Sequence, residues 1–158
     1  MRTSLLKTIG GVALAGSLIA ATVAFGISGN AKADAQAPIC GVHTLRGSYL
    51  FAAHGWNIVG GVAVPKAIVE GIDFNGDGTV VVPFATVSIN GSIIRTSGGL
   101  GSYTVEPDCT GTLSFPAGPG FDIFVQPGDG KQVWMIQTGA AVGPPTAVFE
   151  GTATKVSP

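Results

Sequence analysis

Thr79-Val80-Val81-Val82-Pro83-Phe84-Ala85-Thr86-Val87-Ser88-Ile89-Asn90-Gly91-Ser92-Ile93-Ile94-Arg95-Thr96 decides the fold class of this 158-residue chain. β-Branched and aromatic residues crowd both sides of Asn90-Gly91, and that dipeptide suits the two positive-φ positions of a primed hairpin turn. Two strands joined by two residues run antiparallel, because a parallel partner needs a long crossover. Working outward, the β-prone runs are roughly Gly47 to His54, Val62 to Phe74, Thr79 to Ile89, Ser92 to Glu106, Thr112 to Phe115, Phe121 to Gln126, Lys131 to Thr138 and Thr146 to Lys155. Turn chemistry separates most of them: Asn75-Gly76-Asp77-Gly78, Pro107 to Gly111, Pro116 to Gly120, Pro127-Gly128-Asp129-Gly130 and Gly139 to Pro145. Connections this short predict neighbouring hairpins and an all-β, up-and-down antiparallel meander of about eight strands.

Face patterning argues for closure of that meander. Phe121, Ile123 and Val125 share one face against Asp122, Phe124 and Gln126, whereas Val133 and Met135 oppose the equally apolar Trp134 and Ile136. A small barrel accommodates both patterns, since one face fills the lumen and closure removes the exposed edges of an open sheet. A two-sheet sandwich is the alternative. Charged residues are only 11% of the chain and Gly plus Pro make 35 positions, but the segments between them carry enough Val, Ile, Phe and Thr to exclude disorder.

The N-terminus reads as an export signal. Arg2 and Lys7 precede an apolar run from Ile9 to Ile27, and Ala31-Lys32-Ala33-Asp34-Ala35 offers cleavage after Ala33 or Ala35. The run is also long enough to be retained as a membrane anchor; its glycines and its flanking charges favour cleavage. Residues 1–35 are therefore set aside as signal, 36–46 form a lead-in containing Cys40, and 47–158 form one barrel domain. In an oxidising compartment the only cysteines, Cys40 and Cys109, are expected to pair. In an up-and-down meander the start of the first strand and the end of the fourth lie at the same end, which makes that pairing topologically reasonable.

Beyond residue 35 the chain holds 5 basic and 8 acidic residues. Arg46, Lys66, Arg95, Lys131 and Lys155 are scattered, which excludes a nucleic-acid groove and gives no support to membrane-surface attraction. No phosphate-binding loop, G-x-S-x-G elbow or reactive Cys-His pair is present. No catalytic residue, cofactor or metal centre is assigned.

Weaker candidates remain. Asp73-Phe74-Asn75-Gly76-Asp77-Gly78 matches the start of an EF-hand loop, but Phe84 stands where a bidentate Glu belongs, so a hairpin turn is the expectation. His43 and His54 lack the spacing of a metal site and His43 reads as a surface residue; if His54, with Trp56 near it, faces the lumen mouth, it is the titrating group there. Of the strand carboxylates Glu70, Glu106, Asp122 and Glu150, Glu70 shares its face with Ile68, Ile72 and Phe74 and is the inward candidate, with a raised pKa expected there. Arg95 and Tyr103 lie an even number of residues apart in one run, so an uninterrupted strand puts them on one face, with Gly98-Gly99 a point where register can change. His54, Trp56, Glu70, Arg95 and Tyr103 are the ligand-binding candidates.

Cys40, Leu45-Arg46-Gly47-Ser48-Tyr49, Ile72 to Gly78, Asn90-Gly91 and Gly101-Ser102-Tyr103-Thr104-Val105-Glu106-Pro107-Asp108-Cys109-Thr110-Gly111-Thr112, followed by Gly130-Lys131 and Gly151-Thr152-Ala153, form a pattern over nearly the whole exported chain. It resembles a widespread group of small exported bacterial proteins without assigned function. The resemblance implies export, a Cys40–Cys109 disulfide and an all-β domain, and transfers no catalytic residue. In outline the barrel is similar to lipocalins and to allene-oxide-cyclase-like barrels, without the Gly-x-Trp motif of the former or a matching site of the latter.

These readings lead to an exported barrel holding a small, largely apolar molecule in its lumen or mouth; the abundance of Gly, Ala and Val leans toward residual space. A cofactor-free cyclase or isomerase, favoured by a lone buried carboxylate, is the enzyme alternative. A structural or envelope interaction protein, favoured by a packed lumen, would use outer residues such as Phe124 and Trp134. Oligomeric state is left open.

Overall fold

β-Prone sequence and short turns produce ten antiparallel strands in a computed structural model that describes residues 39–116, 118–140 and 147–157. The expected signal segment, 1–35, lies outside the described residues. After a single 3-10 turn (Val42–Thr44) come β1 (Arg46–Val59), β2 (Val62–Asn75), β3 (Thr79–Val82), β4 (Ala85–Ile89), β5 (Ser92–Thr96), β6 (Gly99–Val105), β7 (Thr110–Ser114), β8 (Pro119–Val125), β9 (Gln132–Ala140) and β10 (Ala147–Ser157). Strand order is β1-β10-β9-β8-β7-β6-β3-β2, and β2 pairs back with β1 to close an eight-stranded barrel. β4 and β5 extend from β2 as a hairpin outside that ring.

Two expected runs are each divided. Thr79 to Ile89 breaks at Pro83-Phe84, where proline has no N–H to give to a ladder; β3 and β4 then pair different stretches of the same long strand, Asp73–Phe74 and Lys66–Glu70 of β2. Ser92 to Glu106 breaks at Ser97-Gly98, where Gly98 takes φ 73°. The first run is longer than expected: β1 continues past His54 to Val59 and pairs with β2 along its whole length, turning at Gly60-Gly61 with both φ positive. Asn90 and Gly91 also have positive φ, the primed turn their sequence demands.

The barrel has a closed end and an open end. Inward residues of the closed end interlock: the Tyr49 and Phe74 rings meet edge to face at 5.0 Å, and so do those of Phe74 and Tyr103. Leu45 of the lead-in is fully buried among them. Tyr49 Oη donates to the Gly130 carbonyl at 2.6 Å, and Tyr103 Oη lies 2.8 and 3.0 Å from the carbonyls of Val42 and Leu45. Burial pushes the Tyr49 hydroxyl up to about 12, consistent with a permanently neutral donor. The disulfide Cys40–Cys109, with Cα atoms 5.0 Å apart, ties the lead-in to the β6–β7 turn.

Three turns at this end repeat one device. Asp77, Asp108 and Asp129 each accept a hydrogen bond from the backbone N–H two residues on, at 2.9, 3.0 and 3.2 Å, and each has a positive-φ residue between: Gly78, Cys109 and Gly130. Short acceptor side chains hold such turns locally. Asp73 to Gly78 is therefore the end of β2 and the Gly76–Gly78 turn into β3, and among the described residues no group of three His, Cys, Asp or Glu could hold a metal ion. No helix among them is long and apolar enough to cross a membrane, and the disulfide fits an exported protein.

Candidate functional site

At the open end the lumen widens into a cavity of about 840 Å³, bounded by β2, the β4–β5 hairpin, and the Phe115–Pro119 connection. Its inner surface is mainly Ile68, Val82, Val87, Ile94, Leu100 and the rings of Phe51, Phe115, Phe121 and Phe149. Of the row that pairs Ile94, Val87, Ile68, Ala53 and Gly151 across five strands, Ile94, Val87 and Ile68 line the cavity. On β6, Gly101 leaves the Phe115 ring room to lie over the backbone; a Cβ there would meet that ring at 2.8 Å. The division of β3–β4 and β5–β6 lets the β4–β5 hairpin form one wall of the opening.

Two ionisable side chains enter this apolar surface, Glu70 and Lys66. Period-two alternation on β2 points Lys66, Ile68, Glu70, Ile72 and Phe74 to the same face. Glu70, 8% exposed, is the buried charged residue among those described. It pairs in register with Phe51 and Ala85, which give its carboxylate no hydrogen-bond donor. Desolvation pushes its carboxyl up to about 7, partly opposed by the Lys66 ammonium. A proton is therefore held or released by Glu70 near neutrality.

Lys66 sits four residues nearer the hairpin turn, in register with Gly55 and Ile89. Its ammonium reaches over β1 to lie 4.0 Å above the Phe149 ring, and it donates to Gln137 Oε1 at 3.4 Å. Gly55 stands between Lys66 and Phe149 in the ladder. A Cβ at Gly55 would collide with the Val148 carbonyl and Phe149 backbone, so glycine lets β1 and β10 approach closely here. Gln137 is oriented by its own Nε2, which donates to the Gly139 carbonyl at 3.3 Å. Burial lowers the Lys66 pKa and Glu70 opposes that shift. The two side chains form no ion pair; among the described residues the salt bridge is Lys131–Asp129, at the closed end.

The sequence-derived candidates separate. Only Glu70 lines the cavity. His54 and Trp56 lie at even positions of β1, opposite in parity to the buried Tyr49, Phe51 and Ala53, and both are exposed on the outer surface; His54 is not at the lumen mouth. Arg95 is exposed on β5 while Tyr103 is buried in the closed end. The backbone change at Ser97-Gly98 removes the shared face that an uninterrupted strand would give them. Tyr103 spends its hydroxyl on the lead-in carbonyls. Lys66 was the residue missed, although the alternation that turns Glu70 inward also turns Lys66 inward. Outside the barrel, Phe124 and Trp134 pack at 5.9 Å between ring centroids beside a shallow groove of about 270 Å³ that also includes Ile136, Asp122 and Glu150.

Compared with protein-family models, curated proteins and solved structures, the chain matches none.

Proposed function

We propose that this protein is an exported barrel that binds a small, largely apolar molecule in the open half of its lumen. The observation that carries the reading is the 840 Å³ cavity, within the ~300–1,000 Å³ typical of small-molecule sites and, like them, apolar with a few polar groups. Export rests on the basic-then-apolar N-terminus with its Ala33 and Ala35 cleavage options, and on the paired cysteines. The likeness to the group of small exported bacterial proteins agrees with that reading. The interior at the closed end is filled, as a structural barrel would require, but the open end is not.

Native mass spectrometry of the protein isolated from its own source, before and after denaturation, tests the proposal. A mass excess that disappears on denaturation is the expected result and identifies the ligand. A bare chain mass, together with no uptake of a fluorescent apolar probe, would remove the reading.

Glu70 favours a second reading, a cofactor-free cyclase or isomerase, because a buried carboxyl titrating at about 7 is suited to moving a proton on a folded apolar substrate. The carboxyl shares its cavity with Lys66, so charge recognition competes with acid–base chemistry as its role. Glu70→Gln separates the two: a binding protein retains its captured molecule, whereas a cyclase retains substrate in place of product.

A further inference from the structure

Lys66 has the features of a ligand-binding cation. An ammonium has three donors; Gln137 Oε1 takes one, the Phe149 face lies at 4.0 Å, and no carboxylate pairs with it. Holding such a charge half-buried costs free energy unless an anion or strong acceptor completes its shell. The group is also positioned, since Gln137 is fixed by Gly139. Of the five cations beyond residue 35, Lys66 is the one that lines the cavity. Below it the walls are apolar for about 13 Å along β2, four residues at ~3.3 Å each, until Glu70.

Building on the binding reading above, we propose that the cavity selects an apolar molecule carrying one carboxylate, with the carboxylate on Lys66 and the apolar body lying along Ile68, Phe51 and Phe121 toward Glu70. Only Lys66 and Glu70 titrate among the residues lining the cavity. Glu70 repels a bound carboxylate when ionised and not when protonated, so affinity for the anion falls as pH rises through the range in which Glu70 loses its proton.

Dodecanoate, dodecanol and dodecylammonium are the probes, titrated by calorimetry into the disulfide-intact protein at about pH 6 and about pH 8. A charge-assisted hydrogen bond to Lys66 should make dodecanoate bind about tenfold more tightly than dodecanol at the lower pH. Lys66→Met should abolish that preference, with a cooperative urea transition showing that the variant is folded. Lys66→Arg should retain the preference. Equal binding of dodecanoate and dodecanol, or preference for dodecylammonium, would overturn the carboxylate proposal while leaving an apolar site. Failure of all three probes, with a fluorescent apolar probe also excluded, would overturn the binding reading itself.

Discussion

Replacing Glu70 by Gln should change the pH dependence of stability in a calculable way. The carboxyl titrates near 4.5 when solvated and at about 7 in the barrel, with desolvation the main cause. Its folded pKa is raised, so the folded state holds the proton more tightly than the unfolded state. The contribution of Glu70 to stability is therefore most favourable below pH 4.5 and declines as pH rises toward 7. The full difference is roughly 3 kcal/mol, reached above pH 7 and absent below 4.5. That is a sizeable share of the ~5–15 kcal/mol stability of a typical domain.

Urea unfolding of both proteins with the disulfide intact, from about pH 4.5 to about pH 8, isolates this effect, because titrating groups not coupled to Glu70 cancel in the difference and Lys66 is the coupled one. Gln adds a neutral amide whose donors cost ~1 kcal/mol if unpaired, a constant offset that does not alter the slope. The variant should gain on the native protein by roughly 3 kcal/mol across that interval. A difference that stays flat to within ~0.5 kcal/mol would mean that Glu70 is solvated in the folded protein, and would refute the burial argument.

Four further outcomes follow from the same geometry. Lys66→Met should move the pH inflection of the native curve upward, since the ammonium lowers the Glu70 pKa; the same urea series reads it. Tyr49→Phe deletes the buried hydrogen bond to Gly130 and should cost ~1–2 kcal/mol in urea unfolding, with no effect on probe binding at the other end. Removing the disulfide, which spans 69 residues, with Cys40→Ala and Cys109→Ala together should cost ~4 kcal/mol in the chain-entropy account, measured by denaturant midpoint. Gly101→Val should displace Phe115 from its seat on the β6 backbone and reduce probe uptake by calorimetry, with a stability loss of ~1–3 kcal/mol from overpacking.

Much of the barrel was legible because its information is local. Asn90-Gly91 carries positive φ at both positions, and the Asp-x-Thr and Asp-x-Lys turns close within their own few residues. Face alternation singled out Glu70 as the better inward candidate among the strand carboxylates, a consequence of the pleat alone. Less local features were not legible. Whether Pro83 and Gly98 bend a strand or divide it depends on which neighbours take up their backbone groups: Gly98 donates to the Val82 carbonyl at 2.9 Å, and Gly71 to that of Phe84 at 3.0 Å. His54 and Trp56 were misplaced because the strand continued beyond the expected end, so parity governed their orientation instead of position at a rim. Lys66 escaped notice because a lysine in a half-buried strand ordinarily directs its charge to solvent, although the pleat places it on the face of Glu70.

The division between the two ends gives the site a physical basis. A carboxyl held at about 7, a half-buried ammonium without an ion pair and an unfilled space each destabilise a fold. Together they can cost a large part of a small domain's margin. The closed end offsets this with the disulfide, the Tyr49, Phe74 and Tyr103 rings, the buried Leu45 and three locally fastened turns. None of those groups lines the cavity, so the groups that stabilise the fold and those that line the cavity are largely different residues. Substitutions at the closed end should consequently change the unfolding midpoint while the affinity of the intact protein stays constant; changes at Lys66 or Glu70 should alter affinity, and Glu70→Gln should raise stability above pH 7. A cavity serving only to tolerate poor packing would have no reason to retain both charges, because apolar residues at those two positions would stabilise the barrel more. Their retention, set against a separate and strongly built closed end, is the strongest structural argument that the open half binds something.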